Sequence, residues 1–153
     1  MSSLYETDFT QWAETTAKLL RQGRFTEIDV PALIEEIDGL ARSDRKAIYS
    51  QLKRLLFHLI KLAYFSEHHY QRAGAGWKRT VVSARHEIEE SIRDSPSLAT
   101  YPAARLADTY DKVRREASVL PDFPGDAAPQ SCPWQVEQVL DPDFFPDRET
   151  LQP

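Results

Sequence analysis

Several residue types are scarce in this chain of 153 residues, and each scarcity excludes a class of protein. Cysteine occurs once, as Cys132, so no internal disulfide can form, which is typical of a reducing compartment. Glycine occurs five times, and no long stretch alternates apolar and polar residues, which argues against a β-sandwich or barrel. The longest apolar-rich stretch, residues 55–65, is interrupted by His58 and Lys61 and is too short to span a bilayer.

Motifs for targeting, metal binding and common catalysis are missing as well. Residues 1–6 have neither the basic start nor the apolar run of a signal peptide, so we expect a cytoplasmic protein without membrane association. The chain has no phosphate-binding glycine loop, no CxxC, no HExxH and no GxSxG. We therefore expect no metal and no cofactor, and Cys132 is interpreted as an inert thiol.

Charge is distributed unevenly along the chain. The net charge is −5, and residues 121–153 contain seven acidic residues and one basic residue, Arg148. That segment therefore has a net charge of −6, which leaves +1 for residues 1–120. A nearly neutral body attracts nucleic acid weakly. We do not expect nucleic-acid binding, although basic pairs at 53–54, 78–79 and 114–115 keep it as a second alternative.

Apolar residues recur at helical spacing through the first 120 residues and predict about five helices. We expect them at about residues 8–22, 29–42, 44–66, 77–93 and 102–119. Asp8 is a suitable N-cap and Gly23 a suitable C-terminal stop for the first helix. A break is expected near Arg42, and a loop or helix start at residues 74–76. Five helices with short joints predict an all-α, single-domain antiparallel bundle.

The predicted second and third helices have distinct apolar faces. The buried face of the second is expected to contain Leu33, Ile34, Ile37, Leu40 and Ala41. In the third, the segment from Ile48 to Leu62 keeps a heptad-like rhythm and becomes apolar almost all round. Such a helix must be covered on several sides, so we expect it at the centre of the bundle.

Residues 121–153 are predicted to form a Pro-rich, acidic arm that belongs to the same domain as the bundle of residues 1–120. Seven of the ten prolines lie there, which excludes a long helix. The segment is nevertheless too apolar for a free linker, with residues such as Trp134 and Phe144. We expect the arm to lie over the bundle, with one short helix near residues 134–140.

His58 and Lys61 lie one turn apart in the most apolar part of the third predicted helix. A buried histidine needs a hydrogen-bond partner. His58 is therefore either an acid–base group or a ligand or, as we favour, a core histidine bonded to a neighbouring helix. Lys61 is expected to extend its ammonium group to the surface.

Two groups of neighbouring polar residues remain, Glu35 with Glu36 and residues 67–69. Glu35 and Glu36 project about 100° apart on a helix. One of them could meet His58 or Arg85, although a solvated face with one structural ion pair is favoured. The segment 67–69, Glu-His-His, is expected to end a helix and face water rather than bind a metal.

Six segments carry a resemblance to a known family. They are Leu4-Tyr5-Glu6-x-Asp8-Phe9-x-x-Trp12, Leu19-Leu20-Arg21-x-Gly23-Arg24-Phe25, Asp29-x-x-x-Leu33-Ile34-Glu35-Glu36-Ile37, His58-Leu59-Ile60-Lys61, Asp94-Ser95-Pro96-Ser97-Leu98, and Cys132-Pro133-Trp134-x-x-Glu137-Gln138-Val139-Leu140-Asp141. Over nearly its whole length, the chain resembles the bacterial domain-of-unknown-function family twenty-nine. Two places depart from the family's pattern: Ala41, where glycine is common, and residues 62–64.

The resemblance implies a helical bacterial protein without an assigned reaction. The family's recurrent polar positions match Asp29, Glu35, Glu36, His58, Lys61 and Arg85. We predict a non-enzymatic interaction or regulatory module that associates with itself or with a protein partner. The alternative is a small-molecule-binding or enzymatic bundle that uses His58 with Glu35 or Glu36 and Arg85.

Overall fold

The computed structural model describes residues 3–148, and all regular structure among them is helical. Six α-helices follow one another: α1 (Leu4–Thr7), α2 (Phe9–Arg21), α3 (Val30–Tyr64), α4 (Glu67–Asp94), α5 (Tyr101–Ser118) and α6 (Val136–Leu140). Short 3-10 helices occupy Phe25–Glu27 and Pro96–Thr100. The predicted all-α bundle is confirmed. The first two residues of the predicted N-terminus and the last five of the predicted arm lie outside the described residues.

Local signals placed the ends of α2 correctly. The Asp8 side chain accepts a hydrogen bond from the Gln11 backbone N–H at 3.0 Å and so caps the first turn. Gly23 follows the helix with a φ of 68°, the left-handed conformation that glycine adopts without steric cost.

The predicted break near Arg42 is wrong, because α3 is one helix of 35 residues. Ser43 and Asp44 resemble a helix start, since their side chains can cap a first turn. Both are exposed here, and neither is a glycine or proline that would end a helix.

The predicted start of the fourth helix near Trp77 is also wrong, because α4 begins at Glu67. The Ser66 side chain caps it by accepting from the His69 backbone N–H at 3.4 Å. Residues 67–69 therefore begin a helix instead of ending one. Gly74 lies inside α4, where an added Cβ would be 3.0 Å from the Tyr70 ring. Its role is close packing and not a turn.

The chain divides into two compact units, Met1–Ser43 and Asp44–Pro153, and α3 contributes residues to both. In the first unit, an aromatic cluster joins α1 to α2. The ring centroids of Tyr5 and Trp12 are 4.7 Å apart, and those of Phe9 and Trp12 are 5.7 Å apart. Trp12 is buried in this cluster.

The second unit is built around the later part of α3, as the heptad-like rhythm predicted. The segment from Ile48 to Ile60 contributes six apolar side chains with no exposed surface: Ile48, Leu52, Leu55, Leu56, Leu59 and Ile60. They belong to one apolar core with side chains from α4, α5 and the arm, among them Ile88, Val113 and Val139. Burial of apolar surface on this scale is the dominant favourable contribution to folding.

The arm packs on the second unit, as predicted. Tyr110 of α5 donates to the carbonyl oxygen of Pro129 at 2.7 Å. Arg148 donates to the carbonyl oxygens of Leu62 and Phe65 at 2.8 and 2.6 Å. The last carbonyls of a helix lack partners within the helix, so these bonds complete the C-terminus of α3. Within residues 3–148, no helix is both long and apolar enough to cross a membrane.

Candidate functional site

A pocket of about 460 Å³ opens between α4 and the residues around the end of α6 in the second unit. Its apolar walls come from Val82, Ile88, Ile92, Leu140 and Pro142. Three polar residues of α4, Arg85, His86 and Glu89, complete the lining. Small-molecule sites have this volume and this combination of apolar walls with a few polar groups.

Of the candidate polar residues predicted from the sequence, Arg85 alone lines this pocket. Its side chain is 5% exposed, and its Nε donates to the carbonyl oxygen of Val139 at 2.8 Å. The guanidinium lies over the ring of Phe145, 5.4 Å from the centroid. Within residues 3–148, no acceptor pairs with its buried Nη1 and Nη2 atoms.

An arginine with two unpaired terminal nitrogens is unusual in a protein interior, where nearly all buried polar groups are hydrogen-bonded. Burial lowers the pKa of Arg85, while the negative charge of Asp141 acts in the opposite direction. The guanidinium nevertheless stays charged, because the ordinary pKa of arginine is far above neutral. Arg85 therefore places a fixed positive charge at the wall of the pocket, and its terminal nitrogens are buried without an acceptor among residues 3–148.

His58 and Lys61 make separate contacts elsewhere in the second unit. The Nδ1 atom of His58 lies 2.7 Å from the carbonyl oxygen of Arg54, one turn earlier on α3. The favoured interpretation, a bond to a neighbouring helix, is therefore wrong. Burial and the charges of Lys61 and Arg54 lower the pKa of His58.

The ammonium group of Lys61 lies against two aromatic rings. Its Nζ is 5.0 Å from the Phe57 centroid and 4.9 Å from the Trp77 centroid. A cation over ring faces is stabilised by the negative charge density of those faces. Burial lowers the pKa of Lys61. The ammonium group, which we expected at the surface, thus packs on the faces of two rings of a half-buried site.

Asp29, Glu35 and Glu36 belong to the first unit and have structural contacts there. Asp29 caps α3, since its Oδ1 accepts from the Ala32 backbone N–H at 3.2 Å. Glu36 accepts a hydrogen bond of 2.5 Å from the hydroxyl of Tyr5. This bond is the main reason why the pKa of Tyr5 rises to about 12, and the exposed Glu35 adds to the shift.

The first unit carries a second surface, an apolar groove of about 280 Å³ between α2 and the start of α3. We call it the α2–α3 groove; it is lined by Phe9, Trp12, Ala13, Thr16, Ala17, Leu20, Leu33, Glu36, Ile37 and Leu40. Ile37 is 56% exposed and Leu40 is 68% exposed. The prediction that these residues form a buried face is therefore wrong, and Ile34 is exposed as well.

Each basic pair has at least one member in a local contact. Lys53 lies over the ring of Tyr49, and Lys78 lies over the rings of Tyr70 and Phe145. Arg114 and Arg115 both form ion pairs with Asp111.

The sequence analysis predicted no functional role for Arg148, Phe145 or Tyr5. Arg148 had a signal, because it is the single base of a strongly acidic segment. Tyr5 belongs to the first of the family segments, but its contact with Glu36 is distant in the chain, as is the contact of Phe145 with Arg85. Cys132, by contrast, was examined: its thiol donates to the Trp134 carbonyl oxygen at 3.4 Å, and burial raises its pKa.

Fold and site together define an all-α protein with a pocket around a buried arginine, and the described residues contain no group of three metal-ligating side chains. The chain belongs to the family described as Domain of unknown function DUF29, which matches residues 4–145. The resemblance predicted from the sequence is thereby confirmed. No curated protein and no solved structure matches the chain.

Proposed function

We propose that this protein is a non-enzymatic interaction module whose α2–α3 groove binds an amphipathic helix of a partner protein. The observation that carries the proposal is the exposure of Ile37 and Leu40, each more than half exposed, on an apolar groove between two helices. Contiguous exposed apolar surface is typical of binding sites. A groove between two helices suits the apolar face of a third helix.

Charge indicates which helix the groove prefers. Residues 1–43 contain eight acidic and four basic side chains, a net charge of −4. Glu36 itself lines the groove. A basic amphipathic helix therefore complements this unit electrostatically, whereas a second copy of the same acidic surface would be repelled. We place the partner in the same reducing compartment that the single cysteine indicates.

The proposal can be tested with two synthetic amphipathic helices, one of leucine and lysine and one of leucine and glutamate. We expect the basic peptide to bind the full chain at least about tenfold more tightly than the acidic one, measured by fluorescence anisotropy. Leu40→Glu should weaken binding of the basic peptide at least about tenfold, because it places a charge in the apolar groove.

Val119→Glu is the matched control. Val119 is 80% exposed, lies in the second unit and receives the same change of charge. The added negative charge alone would strengthen binding of a basic peptide, so a loss in Leu40→Glu reports the apolar contact. Equal affinities of the two variants, or of the two peptides, would contradict the proposal. Sedimentation at the same concentrations separates this mode from self-association.

Small-molecule binding is a second candidate function, and the pocket beside Arg85 favours it. The enzymatic form of that hypothesis, with His58 and Glu35 or Glu36 as partners of Arg85, gains no support from their contacts. His58 is bonded to the Arg54 carbonyl, and Arg85 to the Val139 carbonyl. Nucleic-acid binding gains none either, because Arg114 and Arg115 are paired with an acid.

A further inference from the structure

We propose that the pocket beside Arg85 binds a small monocarboxylate with an apolar body, the carboxylate being held by the Nη1 and Nη2 atoms of Arg85. This site lies in the second unit and is independent of the α2–α3 groove. Its distinguishing feature is a guanidinium that is 5% exposed and keeps two terminal nitrogens without an acceptor in residues 3–148.

The guanidinium is already oriented for this role. Its Nε is occupied by the Val139 carbonyl oxygen at 2.8 Å, which fixes the plane of the group. The two terminal nitrogens then present parallel N–H donors. A carboxylate can accept from both at once, which makes bidentate arginine–carboxylate pairs stronger than single hydrogen bonds. Leaving these donors unpaired costs free energy that a bound carboxylate would recover.

The charged residues around Arg85 indicate which charge the ligand carries. Among the described residues that line the pocket, Arg85 is the one permanent cation; Glu89 lines it too, and the charge of Asp141 acts on the guanidinium. His86, which also lines the pocket, has its Nε2 3.2 Å from a carboxylate oxygen of Glu90. Because two carboxylates lie near this single guanidinium, the site disfavours a phosphate dianion more than a monoanion.

The apolar walls complement a short hydrocarbon chain. Val82, Ile92 and Leu140 line the pocket, whose volume of about 460 Å³ exceeds that of a six-carbon acid. The Phe145 ring covers the guanidinium at 5.4 Å, so the carboxylate reaches the buried nitrogens when this side chain rotates away.

Isothermal titration calorimetry of the full chain tests the site with three probes: hexanoate, hexanol and inorganic phosphate. We expect hexanoate to bind with a Kd of about 1 mM or tighter. Hexanol, which has the same body without the charge, should bind at least about tenfold more weakly. If hexanoate shows no saturable binding up to about 20 mM, the proposal is overturned. Equal binding of hexanol, or displacement of hexanoate by phosphate at equal concentration, would overturn it as well.

Two variants locate the site. Arg85→Lys keeps the positive charge and loses the two parallel donors, so the hexanoate Kd should rise at least about tenfold. Because Arg85 also holds the arm, this variant can lose stability.

A second variant, Val82→Trp, therefore fills the pocket from an exposed position on α4, and Val119→Trp is its control of equal size outside the pocket. We expect Val82→Trp to weaken hexanoate binding at least about tenfold and Val119→Trp to leave it unchanged. If the two tryptophan variants bind equally well, the pocket is not the site.

Discussion

The Nη1 atom of Arg148 donates to the carbonyl oxygen of Leu62 at 2.8 Å and so joins two residues 86 positions apart. The same guanidinium donates to the carbonyl oxygen of Phe65 at 2.6 Å and lies over the ring of Tyr70. One side chain of the arm thus completes the C-terminus of α3 and covers the start of α4.

Removal of this guanidinium should therefore loosen the arm. We expect Arg148→Ala to lower the free energy of unfolding by about 1–3 kcal/mol, because the Leu62 and Phe65 carbonyls lose charged donors. Urea denaturation measures the loss. Arg93→Ala is the control, since it removes only an exposed ion pair with Glu89 and should cost less than about 0.5 kcal/mol. Equal losses in the two variants would show that the arm does not depend on Arg148.

The contact of Arg148 also illustrates what sequence reasoning could not reach. Local signals succeed when both partners are a few residues apart, as with Asp8 and Gln11 at the start of α2. The burial of the later part of α3 was predictable, because its repeating apolar residues require cover on several sides. The acceptor of Arg148 lies in a distant helix, and no periodicity points to it.

The two wrong helix boundaries, near Arg42 and near Trp77, have a different cause: a local signal was present but did not determine the structure. Ser43 and Asp44 can cap a helix, but a capping residue permits a start and does not enforce one. Likewise, Gly74 is compatible with a turn, yet its lack of a side chain serves contact with the Tyr70 ring. Periodicity predicted the apolar face with Ile37 and Leu40 as well, but it could not show whether anything covers that face.

The glycines of α4 provide a second prediction. Gly76→Ala should stabilise the protein by about 0.5–1 kcal/mol, because alanine favours helix and its Cβ would meet nothing closer than 3.9 Å. Gly74→Ala should gain less or destabilise, because its Cβ would lie 3.0 Å from the Tyr70 ring. Thermal unfolding of the pair measures the difference. A larger gain for Gly74→Ala would contradict the packing role of that glycine.

The bond between Tyr5 and Glu36 predicts a pH dependence at the alkaline end. This bond is the largest of the causes, followed by burial and the nearby charges, that raise the pKa of Tyr5 from 10.0 to about 12, so the neutral hydroxyl is favoured in the folded state. Its contribution to stability is complete below pH 10 and is lost as the pH rises through about 12. Tyrosinate absorbance, with Tyr5→Phe subtracted, follows this titration. In Glu36→Gln the pKa should return towards 10.0. An unchanged titration in that variant would show that Glu36 is not the cause.

His58 predicts a dependence of the opposite sign in the acid range. Burial lowers its pKa below the ordinary 6.5, so the unfolded chain takes up a proton at this site more readily than the folded one. The resulting stability is present above pH 6.5 and is lost as the pH falls towards the pKa of the folded state. His58→Gln keeps a donor for the Arg54 carbonyl but cannot ionise, so its stability should fall less between pH 7.5 and pH 5.5 in urea denaturation. Identical losses in the two proteins over that range would show that protonation of His58 does not destabilise the fold, and a group elsewhere would have to account for the acid sensitivity.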